Sequence, residues 1–272
     1  MPGRPLLRRL AALAAPTAAL FCQCGPVRAD DFAVAASPAR FELTARPGAV
    51  VRGVLEIDNA APSSATYSVK TADWALDPNA AALFSDALQP GSCRPWVAIE
   101  RHEITVSGHG SYRFRFEAAV PAAAPPGECR FAILVQGKEQ PVNTKTGVIF
   151  PVAGRLGVIV YITVGDAKPR LSTVGGVVAQ VNGEPTPTLL VRNDGSAHGR
   201  LSGFLSGVDA KGARLEFTPA TLPILPGETR RIPLILDQPD KSRLLHVAYP
   251  VTIHGELLWS GGSAQMLQTF AP

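Results

Sequence analysis

The stretch from Gly147 to Gly165, GVIFPVAGRLGVIVYITVG, constrains the fold more than any other part of the chain. It is the longest run of β-favouring residues and lies near the middle. Its length and apolarity invite comparison with a membrane span. Pro151, Gly154, Arg155 and Gly157 interrupt it, however, and Val, Ile, Tyr and Thr favour a strand over a helix. The expectation is one long or bent strand. Because side chains alternate across a strand, Val148, Phe150 and Val152 share a face. Such a strand, closing one domain and leading into the next, is either a buried seam or an edge offered to a partner.

The N-terminus reads as an export signal. Arg4, Arg8 and Arg9 form a basic region, Leu10 to Phe21 an apolar one, and Val27 and Ala29 precede a cleavage point before Asp30. No lipobox surrounds Cys22 or Cys24. Residues 1–29 hold four of the 26 basic residues and no acid, which leaves 22 basic against 22 acidic residues in the mature chain. A chain near neutrality, with no basic stripe, has no electrostatic footprint for nucleic acid. Cys93 and Cys129 remain in an exported protein, where a pair oxidises. A redox pair would want Cys-x-x-Cys, and a metal site more ligands nearby. Their expected role is a disulfide staple, worth about 3–4 kcal/mol in the chain-entropy model.

With 25 Gly, 25 Pro and short apolar runs, the class is all-β. Val54, Leu55 and Ile57 sit among Arg52, Glu56 and Asp58. Tyr112, Phe114 and Phe116 alternate with Arg113, Arg115 and Glu117, and Phe131, Ile133 and Val135 share a face. Asp77 to Leu88 is Ala-rich, a composition suited to a helical turn. The two halves echo one another: a shift of 118 places Phe114 and Phe116 on Ile232 and Leu234, and Phe131, Ile133, Val135 and Gly137 on Tyr249, Val251, Ile253 and Gly255. About seven short strands per half is an immunoglobulin-like count. The expected organisation is a signal over 1–29, one sandwich over 30–165 and a second over 166–272.

Five His, at 102, 109, 198, 246 and 254, show no metal-ligand spacing, so no metal is expected. There is no G-x-S-x-G and no phosphate-binding Gly loop, so no catalytic residue is assigned and no enzyme is expected. No cofactor is expected either.

Three segments follow the signal in order: Ser37-Pro38-Ala39-Arg40-Phe41-Glu42-Leu43, Leu55-Glu56-Ile57-Asp58-Asn59, and Arg155-Leu156-Gly157-Val158-Ile159-Val160-Tyr161. With two tandem immunoglobulin-like domains, they resemble the periplasmic pilus-assembly chaperones, the PapD-like family. The segment at 37–43 is similar to that family's first strand, with a basic residue in a similar place. The segment at 55–59 resembles the strand that follows it in the family, which ends in Asn. The segment at 155–161 sits where the family has a Lys and then an apolar and aromatic run into the linker. The resemblance covers most of 31–165 and, more loosely, 166–272. Arg stands at the Lys position, Tyr161 is followed by Ile162-Thr163 rather than Arg-Pro, and Pro151 removes a ladder hydrogen bond. The cysteine pair is not a general family feature.

The resemblance implies a periplasmic, non-enzymatic chaperone for pilus or fimbrial subunits, working with an outer-membrane usher. Its mechanism would be donor-strand complementation: the long strand completes a client sandwich that lacks one. Val148, Phe150 and Val152 would enter the client core, each contributing about 1.5–3 kcal/mol. Arg40 and Arg155 would meet between the domains and hold the client's C-terminal carboxylate. The rival expectation is a secreted sandwich protein that is itself part of a surface fibre. It would want a donor extension at its N-terminus, where Asp30 to Ala36 is short and weakly alternating.

Overall fold

The computed structural model describes residues 32–89, 92–138, 140–143, 149–238 and 246–272. The expected signal, residues 1–29, and Val148 lie outside the described residues. The first β unit contains β1 (Val34–Ser37), β2 (Arg40–Ala45), β3 (Val50–Asn59), β4 (Ala65–Leu76), β5 (Ala82–Ser85), β6 (Val97–Ile99) and β7 (Glu103–Val106). It continues through β8 (Ser111–Ala119), β9 (Gly127–Gly137), β10 (Gln140–Asn143), β11 (Ile149–Val152) and β12 (Arg155–Val164). The second contains β13 (Leu171–Val181), β14 (Glu184–Asn193), β15 (Leu205–Val208), β16 (Arg214–Pro219), β17 (Thr229–Leu236), β18 (Val251–Trp259) and β19 (Gly262–Phe270). Among the described residues there is no α-helix, only a single 3-10 turn at Arg94–Trp96.

Alternation builds the first unit. In β8, Phe114 and Phe116 are buried while Arg113 and Arg115 are exposed, the pattern of a strand with one face inward. One sheet runs β1-β3-β8-β6; the other runs β2-β12-β9-β4-β5, with β7 also on β4. Leu55, Ile57, Phe114 and Phe116 from the first sheet meet Phe131, Ile133, Val135, Val158 and Val160 from the second. Phe116 stands edge-on to both Phe41 and Phe131. The second sheet is also covered on its outer face. There Ala72, Trp74, Ala132, Leu134 and Tyr161 form another cluster, joined by Phe84 and by Leu225 of the second unit. This double coverage explains the unbroken apolar run Phe131–Val135, all fully buried.

The second unit follows one path, β13-β14-β17-β16-β15-β18-β19, around Leu189, Val191, Phe217, Ile232, Leu234, Val251 and Ile253. Of the positions paired by the internal echo, Phe114, Phe116, Ile133 and Val135 and their counterparts Ile232, Leu234, Val251 and Ile253 are buried, whereas Tyr249, matched to Phe131, is only partly so. A further likeness is visible only in the fold. Asn59 ends β3 and gives Nδ2 to the carbonyls of Ser63, Val106 and Ser107, and Asn193 ends β14 and gives Nδ2 to those of Ala197 and Ile224. Each is a buried amide that ties off the loops at the end of its sandwich.

Two expectations change. The Ala-rich segment holds no helix: Asp77 Oδ1 accepts from the backbone N–H of Asn79 and Ala81, turning the chain so that Ala82–Ser85 pairs back on β4. The long central strand is two strands, β11 and β12, parted at Ala153-Gly154. Gly154 is where the Phe32 ring packs, and a Cβ there would lie 2.0 Å from it. Cys93 and Cys129 form a disulfide with Cα atoms 5.7 Å apart, joining the turn after β5 to β9.

Candidate partner-binding site

The edge of the second sheet is set by the first two strands. β1 pairs with β3 in one sheet, and β2 pairs parallel with β12 in the other, so the chain changes sheets between Ser37 and Arg40. β2 covers β12 only over Ile159–Val164. On that side, Arg155–Val158 and all of β11 have no ladder partner among the described residues. β11 is held from its other side alone, by β10, with Gln140 opposite Val152 and Asn143 opposite Ile149. Three residues separate Gln136 from Gln140 where two separate Val152 from Arg155, a one-residue step between the β9–β12 and β10–β11 ladders. Such a step bends a ribbon away from its sheet.

At the other end of the same edge lies a charged cleft between the two units. Glu42 of β2 is opposite Tyr161 of β12, which is opposite Arg130 of β9, a row on the outer face of the sheet. The segment Ala197–Arg200 of the second unit descends on this row. The His198 ring stacks on Tyr161 at 3.8 Å between centroids. The backbone N–H of His198 donates to Glu128 Oε2 at 2.9 Å, and its Nδ1 lies 2.5 Å from the same oxygen. The Glu128 side chain is fully buried, with Arg130 Nη1 3.7 Å from its other oxygen. Glu42 Oε1 accepts from Arg40 Nε at 2.7 Å, with His198 Nε2 at 3.6 Å and Arg200 Nε at 3.9 Å.

The titration behaviour follows from these contacts. Burial pushes Glu42 up, but the Arg40 hydrogen bond and the charges of His198, Arg40 and Arg200 outweigh it and hold the carboxyl below its ordinary value. Burial pushes the Tyr161 hydroxyl up to about 12. Burial also lowers Arg200.

Of the residues singled out in the sequence, Phe150 and Val152 lie on β11, the strand with one free side. Arg40 lies in the cleft. Arg155 does not join it. Arg40 is level with Ile159, four residues along β12 from Arg155, or roughly 13 Å at strand rise. Arg155 instead donates to Gln136 Oε1 at 3.1 Å. The cleft groups that sequence reasoning missed are Glu42, Glu128, Tyr161, His198 and Arg200. Only Arg40 and Glu42, two apart on one strand face, were legible as a pair; the rest converge from distant parts of the chain. Among the described residues, no group of His, Cys, Asp and Glu is placed to hold a metal, and no helix is long and apolar enough to cross a membrane.

No known protein-family profile matches the chain, and no curated protein does. Several solved structures align with most of its length. The YadV chaperone is 10% identical with a TM-score of 0.47, over 88% of this chain and 100% of that one. The class 5 fimbriae chaperone CfaA is 9% identical with a TM-score of 0.46, over 88% and 99%. A chain of the CsuC–CsuE chaperone–tip adhesion subunit complex, from archaic chaperone-usher Csu pili of Acinetobacter baumannii, is 13% identical with a TM-score of 0.43, over 87% and 97%. At such identities and scores these likenesses carry no argument about function.

Proposed function

We propose that this protein is an exported, periplasmic chaperone that lends strand β11 to the open edge of an incomplete β-sandwich, a pilus or fimbrial subunit. The supporting observation is the ladder of β11: among the described residues it is paired by β10 on one side and by no strand on the other, because β2 stops at the level of Ile159. A free strand edge in a monomer is a template for another chain. Val148, Phe150 and Val152 would supply the apolar side chains that the client core lacks, and Arg40 would meet the client's terminus in the cleft. Arg155, at the free end of β12, would contact the client's strand rather than its terminus. An outer-membrane usher would receive the complex. The fibre-component reading gains nothing from the N-terminus, since Val34–Ser37 is already laddered on β3 of its own chain.

The test is co-purification of the exported protein with the products of genes adjacent to its own. The parent should retain a subunit, and Phe150→Asp should lose it while keeping its fold by circular dichroism. Retention by Phe150→Asp equal to that of the parent would overturn the assignment.

A further inference from the structure

Two carboxylates sit in the cleft, and they are held very differently. The Glu128 side chain is wholly buried and bound to His198 by two contacts. Glu42 is 47% exposed, with one strong partner, Arg40, itself half in water. Around Glu42 stand more cationic groups than one carboxylate satisfies. Arg200 is anchored by Nη1 on the Thr221 carbonyl at 2.9 Å, while its Nε is buried and has no hydrogen-bond partner among the described residues. That Nε lies 3.9 Å from Glu42 Oε1, close enough to attract the charge and too far to bond it. The His198 Nε2 at 3.6 Å stands in the same relation. A buried guanidinium N–H without an acceptor is costly, and its presence here marks an incompletely filled anion position.

We propose that Glu42 is an internal stand-in anion, occupying a cradle made by Arg40, His198 and Arg200 that a partner's carboxylate takes over by displacing it. This rests on the reading that a partner docks along the β12 edge. It adds a gate: the chain's own acid already sits in the cleft, so an incoming carboxylate competes with Glu42. Two features make the exchange feasible. Glu42 can swing into solvent from a strand at the sheet edge, whereas Glu128 cannot. His198 and Arg200 are fixed independently of Glu42, by Glu128 and by the Thr221 carbonyl, so the cradle keeps its shape when Glu42 leaves. Arg200 and His198 belong to the second unit and Arg40 to the first, so the ligand also bridges the units.

The experiment uses the mature protein and propionate as the probe, with the Arg40 Nε–H followed by nitrogen-edited NMR. Glu42→Ala and Glu42→Gln should both saturate at about tenfold lower propionate than the parent. Glu42→Ala with Arg200→Ala should lose that gain. The proposal is overturned if both Glu42 variants saturate where the parent does, or if the gain survives loss of Arg200. Glu42→Gln nearly preserves volume and so separates a charge effect from a folding defect. Phe150→Asp should leave the propionate response unchanged. A protein that captures no client yet shows the Glu42-dependent response therefore loses the strand-lending reading alone.

Discussion

Tyr161 lies at the contact between the two units, stacked against His198 on one side and edge-on to Trp74 on another. Its hydroxyl is kept neutral by burial, with the folded value near 12 against an ordinary 10.0. A folded value above the unfolded one means stability is intact below pH 10 and is lost as pH rises through the folded value. The parent should therefore lose about 2–3 kcal/mol more than Tyr161→Phe between about pH 8 and strongly alkaline solution, read by urea unfolding. Glu42 runs the opposite way. Its folded value lies below the ordinary 4.5, so its contribution is present above that pH and fades as the solution is acidified through the folded value. Half of the side chain is in water, so the effect is only a few tenths of a kcal/mol. The difference between parent and Glu42→Gln in acid titration of thermal stability should shrink accordingly.

At the scale of elements, the free side of β11 and the packing of β12 make separate demands. Phe150→Asp should weaken client capture by about 10–100-fold, the equivalent of losing one buried apolar side chain, with no change in unfolding midpoint. Gly157 tests packing instead. A Cβ there would lie 2.2 Å from the Phe84 ring, so Gly157→Ala should lift β5 from the sheet and cost about 1–3 kcal/mol in urea unfolding. Alternation made β8 readable in the sequence, and an unbroken apolar run made β9 so, because strand patterns are local. Gly154 was legible as an interruption of the long strand, but its packing partner was not, since Phe32 lies more than a hundred residues earlier. Nor was the separation of Arg40 from Arg155, which is a matter of register: six residues of β2 lie along β12, and nothing in either segment says which six. The charged cleft was invisible for the same reason, its members coming from β2, β9, β12 and the 197–200 segment.

For the whole molecule, the disulfide and the contact between units tie together parts of the chain that the strand ladders do not join. Cys93 is followed by Arg94, whose Nη2 donates to the Thr71 carbonyl and Nη1 to that of Asp86, so the bridge also pins the excursion between β4 and the 3-10 turn. Replacing both cysteines with Ser should cost about 3–4 kcal/mol in urea unfolding. Leu225 seats the second unit on Trp74 and Tyr161. Leu225→Asp should let the units separate, seen as a larger radius of gyration by small-angle scattering with both sandwiches still folded. The change of sheet between Ser37 and Arg40 has one more consequence. The residues that would continue β2 alongside Ala153–Leu156, Val34–Ser37, are already committed to β3. Among the described residues, then, the segment nearest the opening has been spent on the opposite sheet. The fold cannot heal that side with it short of unpicking a ladder it already has, and a foreign strand meets no such toll.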